Sequence, residues 1–206
     1  MRTKPVTSDV LALLQELLVP LASVARTIKV PFDLRRWEND AEHSYFLATL
    51  GCALGSQIDS SLDLGKISQY ALVHDLVEVY AGDTTVWAPQ AHLDSKPQRE
   101  EAALRRIEQR FGAVFPWVSK TITTYERLDQ PESCFVYALD KLLPYAIMMI
   151  ADHQPLLRTR AACQEKERLA RSKVARYPLL LSFFDDLCRL YASRRHFFVR
   201  ELSAVQ

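Results

Sequence analysis

A ten-residue run that is mostly apolar but carries three ionisable side chains constrains the fold of this chain more than any other segment. Residues 71–80 read Ala-Leu-Val-His-Asp-Leu-Val-Glu-Val-Tyr, and seven of the ten are apolar or aromatic. Such a run is typical of a largely buried helix, in which an unpaired charge is costly. His74, Asp75 and, one turn later, Glu78 therefore need partners, and a single divalent metal ion would satisfy all three.

The pair His74–Asp75 also has a purely structural interpretation. A histidine in an apolar helix is often hydrogen-bonded within the core, and an aspartate often caps a helix or forms a salt bridge. Taken alone, the pair leaves both interpretations open, and the rest of the chain has to decide between them.

Helical spacing of apolar residues dominates the remaining sequence. Of the 206 residues 49% are hydrophobic and only 5 are glycine, which favours helices around a sizeable core. No strand-like alternation extends beyond a few residues, and no repeat or linker is visible. We therefore predict an all-α protein with a single domain over residues 1–206 and six to eight helices. The predicted helices span residues 9–28, 40–57, 64–81, 97–111, 117–128, 132–153 and 161–198.

Several residues predict where these helices begin, bend and end. Ser8 and Asp40 are suited to cap the first two helices, and Gly82 to end the third. Prolines should interrupt three helices because proline lacks a backbone N–H and clashes with the preceding turn; they are Pro20, Pro144 and Pro178. Gly55 indicates the end of the second helix, and loops are expected over residues 29–39 and 83–95.

Charge and cysteine content limit the classes of function. The 26 basic and 25 acidic residues nearly cancel, which argues against a broad surface for a nucleic-acid polymer. No uncharged apolar run is long enough to span a membrane, and the N-terminus lacks the pattern of a signal peptide. A reduced, cytoplasmic protein is therefore expected, although a disulfide is left open, because the cysteines are widely spaced and form no Cys-x-x-Cys motif; they are Cys52, Cys134, Cys163 and Cys188.

Four candidate metal ligands lie on three predicted helices. His43 lies early on the second helix, His74 and Asp75 lie on the third, and Asp140 lies at the centre of the apolar helix 132–153. Ligation by imidazole and carboxylate suits one divalent transition metal, Co, Mn, Fe, Ni or Zn, rather than Ca²⁺. Six-coordination with four protein ligands would leave places for water and substrate.

Three motifs in this order resemble those of a known family. They are Glu38-Asn-Asp-Ala-Glu-His-Ser44, His74-Asp-Leu-Val-Glu78 followed by Ala81-Gly-Asp83, and Ala138-Leu-Asp-Lys141. The pattern is similar to that of the HD-domain metal-dependent phosphohydrolases, and closest to their branch of bacterial 5′-deoxynucleotidases and small eukaryotic relatives. The resemblance implies one helical bundle with a motif-bearing core over about residues 20–150, and leaves the helices over about 155–200 for packing or assembly.

The resemblance also implies roles for the polar residues. His43, His74, Asp75 and Asp140 would hold the metal, and Glu78 and Asp83 would be the catalytic carboxylates. Glu78 lies four residues after His74, hence on the same helix face. Asp83 could orient the attacking water or bind a second ion, for which Mg²⁺ is a candidate; it could equally be a turn residue after Gly82.

The resemblance and charge together suggest which residues bind the substrate. Arg26 precedes His43 at about the distance at which related enzymes place a substrate-binding arginine. Arg36, with Arg35 beside it, is a further candidate because arginine suits bidentate recognition of phosphate. The aromatic residue expected shortly after the binding arginine is absent here, and Trp37 could replace it. Two lysines, Lys29 and Lys141, could favour a more highly charged substrate.

The expected function is metal-dependent hydrolysis of a nucleotide phosphate ester, with a deoxynucleoside 5′-monophosphate as the leading substrate. Removal of triphosphate from a deoxynucleoside triphosphate is the alternative reaction, and a non-catalytic nucleotide-binding regulator is the alternative class. A homodimer is also expected from the family and from the apolar, aromatic stretch over residues 179–198, although that stretch could instead complete the core.

Overall fold

The structure is a computed structural model that describes residues 4–151 and 159–198. In chain order the elements are α1 (Thr7–Leu13), a π-helical turn (Leu14–Leu18), α2 (Val19–Leu21), β1 (Ala25–Val30), β2 (Asp33–Asn39), α3 (Asp40–Ile58), α4 (Leu64–Val73), α5 (Glu78–Ala81), α6 (Gln90–Asp94), α7 (Lys96–Phe111), α8 (Pro116–Glu126), α9 (Pro131–Ile150), α10 (Arg160–Val174), a 3-10 turn (Pro178–Leu180), α11 (Leu181–Ser193) and a second 3-10 turn (Arg195–Phe197). Seven of the described helices have ten or more residues, and the sheet has two strands. The predicted all-α class is confirmed.

The first helical region ends earlier than predicted. Its helical backbone stops at Leu21 rather than near residue 28, and Val6 rather than Ser8 precedes its first turn. The π-helical turn lies just before Pro20, which has no N–H to donate to the carbonyl of Glu16. The hydroxyl of Tyr80 donates to that carbonyl instead, at 3.0 Å. A side chain from α5 therefore satisfies the backbone group that the proline leaves without a helical partner.

A β-hairpin replaces the predicted end of the first helix and the predicted loop over residues 29–39. β1 and β2 pair on either side of a turn at Pro31 and Phe32. The β-branched residues Thr27, Ile28 and Val30 favour the extended backbone of β1. Four consecutive residues of β2 are exposed, so the strand lacks the alternation of apolar and polar residues that would have revealed it.

The start of α3 lies one residue from the predicted position. Asn39, not Asp40, is the N-cap: its side chain accepts the N–H of Glu42 at 3.0 Å, and the Glu42 carboxylate accepts the N–H of Asn39 at 3.2 Å. This reciprocal pair is a capping box. Asp40 becomes the first residue of the helix and is buried. At the other end the helix stops at Ile58, one residue beyond the predicted end at Gln57.

The predicted third helix is broken at the most informative point of the sequence. α4 ends at Val73, residues 74–77 form a tight turn, and α5 begins at Glu78. Within the turn the N–H of Glu78 donates to the carbonyl of Asp75 at 2.9 Å, a bond over three residues instead of four. His74 and Asp75 thus lie at a helix end. Gly82 ends α5 as predicted, with a φ of 74° that favours glycine.

The contacts divide the chain into two compact units. The first comprises the described residues up to Thr27 together with Trp37–Val136, and the second comprises Ile28–Arg36 and the described residues from Tyr137 onward. The single domain over residues 1–206 stays a prediction. The first unit has a core drawn from its helices and from the turn after α4: Leu17, Leu21, Val73, Leu76, Val77, Ala103, Ile107, Phe111, Val118 and Ile122.

An aromatic cluster forms much of the core of the second unit. The ring of Tyr145 in α9 lies 5.1 Å from that of Phe184 and 5.9 Å from that of Tyr191, measured between centroids. Phe184 and Tyr191 are buried, as is Phe197, so part of the aromatic C-terminal stretch completes this core. Pro178 breaks the last helical region as predicted. The predicted homodimer stays a prediction.

Helix α9 continues through Pro144 and was wrongly expected to be interrupted there. Proline removes one helical hydrogen bond, and this 20-residue helix accommodates that loss. Its predicted end at His153 lies outside the described residues. By length and hydropathy α9 could cross a membrane, but 50% of its most apolar window is buried inside the protein, as in core helices that pass the same test.

Candidate metal centre

Three of the four predicted metal ligands converge in the first unit. His43, on the first turn of α3, His74, at the end of α4, and Asp75, in the following turn, each offer an atom within 4.8 Å of the other two. Both histidines are buried and Asp75 is partly buried.

The ring of His74 is oriented for metal binding. Its Nδ1 lies 2.9 Å from the carbonyl oxygen of Ala71, which can only accept a hydrogen bond. Nδ1 therefore carries the proton, and Nε2 of the neutral ring carries a lone pair. Nε2 lies 3.0 Å from Oδ2 of Asp75. Bonds of about 2.1 Å at right angles to one ion would place two ligand atoms about 3 Å apart, so this spacing fits a shared ion.

His43 has a buried carboxylate beside it. Nδ1 of His43 lies 3.6 Å from Oε2 of Glu38, and both side chains are buried. A carboxylate near the second ring nitrogen of a ligating histidine fixes its orientation and raises its basicity. Glu38 was missed by the sequence analysis, although it opens the motif that contains His43. Its position at the end of the unrecognised strand β2 is the reason.

A second group of acids adjoins the first. Asp40, Asp75 and Glu78 each offer an oxygen within 4.8 Å of the other two. Asp40 was predicted to be a cap and was therefore not considered as a site residue. Burial, the neighbouring charge of Asp75 and, more weakly, that of Asp83 raise the pKa of Asp40 to about 7, against the opposing effect of Arg26.

Arg26 lies among these carboxylates. Its guanidinium is 2.9 Å from Asp75, 3.3 Å from Asp40 and 3.3 Å from Glu38. The sequence predicts that Arg26 binds substrate, and the structure gives it three acidic neighbours in addition. A cation in this position lowers the cost of burying several carboxylates together.

Glu78 is the most strongly perturbed acid of the site. Burial, followed by the charges of Asp75, Asp83 and Asp40, raises its pKa to about 10, and Lys96 acts in the opposite direction. Nζ of Lys96, at the start of α7, lies 3.2 Å from Oε1 of Glu78. Burial alone lowers the pKa of Lys96, but Glu78 and Glu100 raise it above its ordinary value.

Asp83 lies in a turn that α7 holds in place. The guanidinium of Arg99 donates to the carbonyl of Ala81 at 2.5 Å and to the hydroxyl of Thr84 at 2.7 Å, on either side of Asp83. Arg99 was missed by the sequence analysis, which named no site residue on this helix. Its spacing of three residues from Lys96 was the available signal, because both side chains then lie on one face of the helix.

The other predicted site residues fall elsewhere in the two units. Asp140 is buried in α9 within the second unit, and the ammonium of Lys141 lies 2.5 Å from its carboxylate. Arg36, also in the second unit, and Trp37, in the first, are both exposed in β2. The predicted role of Asp140 as fourth ligand, like the predicted substrate-binding roles of the other three residues, stays a prediction.

Comparison with known proteins places this geometry in a family. Residues 20–177 match the family model described as HD domain. The chain belongs to the HD-domain family. The three motifs quoted above all lie within the matched residues, so the resemblance is confirmed for the HD family, while the deoxynucleotidase branch stays a prediction.

A solved structure has a similar fold. It is a predicted metal-dependent phosphohydrolase from Magnetospirillum magnetotacticum MS-1, with 24% sequence identity and a TM-score of 0.74 over 93% of this chain and 95% of that one. At this identity the similarity shows a shared fold alone. No curated protein matches the chain significantly.

The residues of the first unit fit a divalent metal. Two imidazoles and a carboxylate are donors that transition metals accept. Within the described part of the chain, Oδ2 of Asp40 and Oε2 of Glu78 are buried and have no hydrogen-bond partner. Burying a carboxylate oxygen without a hydrogen-bond partner costs free energy. A nearby cation, or a water bound to that cation, would provide the missing partner.

Proposed function

We propose that this HD-domain protein is a metal-dependent phosphohydrolase that acts on a nucleotide, with a deoxynucleoside 5′-monophosphate as substrate. The observation that carries the proposal is the convergence of His43, His74 and Asp75 beside a second group of buried acids. The similar protein from Magnetospirillum, described as a predicted metal-dependent phosphohydrolase, supports the reaction class.

We propose His43, His74, Asp75 and Asp140 as the metal ligands, for one divalent transition metal. Such an ion would supply a bound water whose pKa is lowered from 15.7 towards about 7, and would neutralise phosphate oxygens. A phosphate ester repels anions, and water is a poor nucleophile at neutral pH, so both effects are needed for hydrolysis.

Glu78 and Asp83 are the proposed acid–base residues. Burial and the neighbouring acids raise the pKa of Glu78, which favours the protonated acid that can donate to the leaving oxygen. Asp83 lies in the turn that Arg99 bonds through Ala81 and Thr84, and its proposed role is to accept a proton from the attacking water.

Cationic side chains supply the remaining contacts to phosphate. Arg26 lies beside Asp75, and its planar guanidinium is of the type that recognises phosphate. Lys96 adjoins Glu78 and is partly exposed, so its ammonium can approach a substrate oxygen. These two residues would position the phosphate, while Arg36, Trp37 and Lys141 are proposed to contact the remainder of the nucleotide.

The experiment is a panel of nucleotides assayed with Co²⁺, Mn²⁺, Ni²⁺, Zn²⁺ and Mg²⁺, with the products resolved. We expect phosphate and a nucleoside from at least one deoxynucleoside monophosphate. Tripolyphosphate as the product from a triphosphate would favour the alternative reaction. If protein loaded with each metal turned over no nucleotide, the proposed activity would be wrong, and a nucleotide-binding regulator would be favoured.

A pair of aspartate variants tests the site. Asp75→Ala should abolish turnover and bound transition metal together, since it removes a proposed ligand. Asp94→Ala changes an exposed aspartate of α6 and should leave both unchanged. Equal loss in the two variants, or full activity in Asp75→Ala, would contradict the assignment.

A further inference from the structure

Two groups of possible metal ligands share one carboxylate, that of Asp75. His43 and His74 complete the first group, and Asp40 and Glu78 complete the second. Ions held by the two groups would both lie beside Asp75, as in two-metal sites, whose ions are about 3.5–4 Å apart. Asp40 and Glu78 are buried, and each has one buried oxygen without a hydrogen-bond partner among the described residues. The ligand set alone would therefore allow a second ion.

Cationic side chains of the protein contact every acid of the second group. Nη1 of Arg26 lies 2.9 Å from Oδ2 of Asp75 and 3.3 Å from Oδ1 of Asp40. Nζ of Lys96 lies 3.2 Å from Oε1 of Glu78. A divalent ion bound among these acids would lie a few ångströms from the guanidinium. Charges of the same sign repel strongly at such distances where water is largely excluded.

The two cations differ in how readily they can move away. Lys96 also pairs with Glu100 at 3.1 Å, and its side chain is 34% exposed, so it can release Glu78 and keep a partner. The side chain of Arg26 is only 14% exposed, and it has a third acidic neighbour in the buried Glu38 at 3.3 Å. A guanidinium is also charged at any pH at which the protein is folded. Arg26 is therefore the cation that stays with the second group.

We propose that Arg26 takes the place of a second metal ion in this centre, so that the chain binds one divalent ion and not two. The guanidinium supplies a fixed positive charge beside the carboxylate that two ions would have to share. A phosphate would then be held between one ion and Arg26, instead of between two ions. The inference rests on the metal centre of the proposed function, but not on the identity of the substrate.

The experiment counts the Mn²⁺ ions that the full-length protein binds in equilibrium dialysis, after treatment with a chelator. The wild type should bind one ion per chain. Arg26→Met removes the charge and keeps an unbranched side chain, and it should bind two ions, because the free oxygens of Asp40 and Glu78 no longer face a competing cation. Arg26→Lys retains a positive charge and should bind one. Arg110→Gln is the matched control and should bind one, since Arg110 pairs with Glu16 outside both ligand groups.

Electron paramagnetic resonance of the Mn²⁺-loaded proteins gives a second measurement. Two Mn²⁺ ions beside a shared carboxylate have coupled spins, so Arg26→Met should lose the hyperfine signal of an isolated ion, which the wild type should keep. Adding Asp40→Asn to Arg26→Met removes an acid of the second group and should return the count to one. If circular dichroism shows that Arg26→Met is unfolded, Arg26→Gln replaces it with the same expectation, because its amide can still donate to a buried carboxylate.

The results separate this proposal from the proposed function. Two ions with coupled spins in the wild type would overturn the proposal and leave a metal-dependent hydrolase in place. One ion in the folded, uncharged Arg26 variant would also overturn it, since Arg26 would not then limit the count. Two ions in Arg26→Lys would contradict the role of the positive charge. A wild type that binds no Mn²⁺, Co²⁺ or Zn²⁺ would contradict the metal centre itself, and with it both proposals.

Discussion

Glu78 shows how burial beside other acids raises the pKa of a single carboxyl group. Burial and then the charge of Asp75 are the main causes that raise its pKa to about 10. An unfolded chain would release this proton at a pH of about 4.3. Between these values the folded protein binds one proton more than the unfolded chain, so its stability must fall as the pH rises.

This difference predicts a pH dependence of stability in protein treated with a chelator. The melting temperature should decrease from pH 7 to pH 9. Asp40, whose pKa is raised to about 7, also lowers the stability as the pH rises, but mainly below this range. Glu78→Gln keeps the side chain neutral and should flatten this decrease, as measured by thermal unfolding at several pH values. Glu101→Gln, at an exposed position of α7, is the control. An equally steep decrease in both variants would contradict the assignment.

The residues differ in how far the sequence revealed them. His43, His74 and Asp75 were found because ionisable side chains in apolar helices need partners, and the structure brings these three together. Asp40 was missed because aspartate is itself a good N-cap, and Asn39 occupies that position instead. The spacing of apolar residues does not fix a helix start to within one residue. That one residue decides whether Asp40 is the cap or a member of the acidic cluster.

At the scale of elements, α7 organises the two proposed catalytic carboxylates. Its first turns place Lys96 beside Glu78 and Arg99 across the turn that contains Asp83. The sequence predicted this helix within one residue because its apolar stripe is regular. The sequence did not reveal which residues Lys96 and Arg99 contact, because those contacts depend on how α7 packs against α5 and the turn that follows it.

Arg99→Ala should misplace Asp83 and slow catalysis. We expect kcat to fall about 10- to 100-fold, the usual effect of a small displacement of a reacting group, with little change in KM. Steady-state kinetics on the preferred nucleotide measures both constants. Arg105→Ala is the control, because Arg105 is exposed on the same helix and pairs with Glu101. A loss confined to KM would contradict a positioning role for Arg99.

The π-helical turn before Pro20 predicts an energetic coupling between two elements. Tyr80→Phe removes the donor to the Glu16 carbonyl and should cost about 1 kcal/mol of unfolding free energy. In a Pro20→Ala background the new N–H can bond that carbonyl, so the same change should cost less. Chemical denaturation of the four proteins forms a double-mutant cycle. Additive effects would show that Tyr80 does not substitute for the missing N–H.

The β-hairpin is an element that the sequence did not predict. β1 and β2 follow one another within fifteen residues and carry charged side chains, so neither strand shows a buried face in the sequence. A two-stranded sheet is seldom stable alone. Its formation here depends on tertiary contacts, which a search for local periodicity does not detect.

At the scale of the whole molecule, average charge conceals a local imbalance. The chain has a net charge of +1, yet Glu38, Asp40 and Asp75 surround Arg26 in the first unit, and Glu78 adjoins two of these acids. Composition argues against a broad nucleic-acid surface but could not locate this acidic site. The division into two units was not foreseen either, because no linker separates them: α9 itself passes from one to the other.

The last prediction concerns the fourth ligand. Asp140 belongs to the second unit, and its assignment rests on the family motif Ala138-Leu-Asp-Lys141. Removing a residue that merely supports a metal ligand typically weakens metal affinity 10- to 100-fold, so removing a ligand should cost at least as much. Asp140→Asn should therefore weaken metal binding at least tenfold in calorimetric titrations with Co²⁺ or Mn²⁺. Asp186→Asn, an exposed change in α11 of the same unit, should leave the affinity unchanged. Unaltered affinity in folded Asp140→Asn would restrict the centre to His43, His74 and Asp75, with Asp40 and Glu78 as the remaining candidates for ligands.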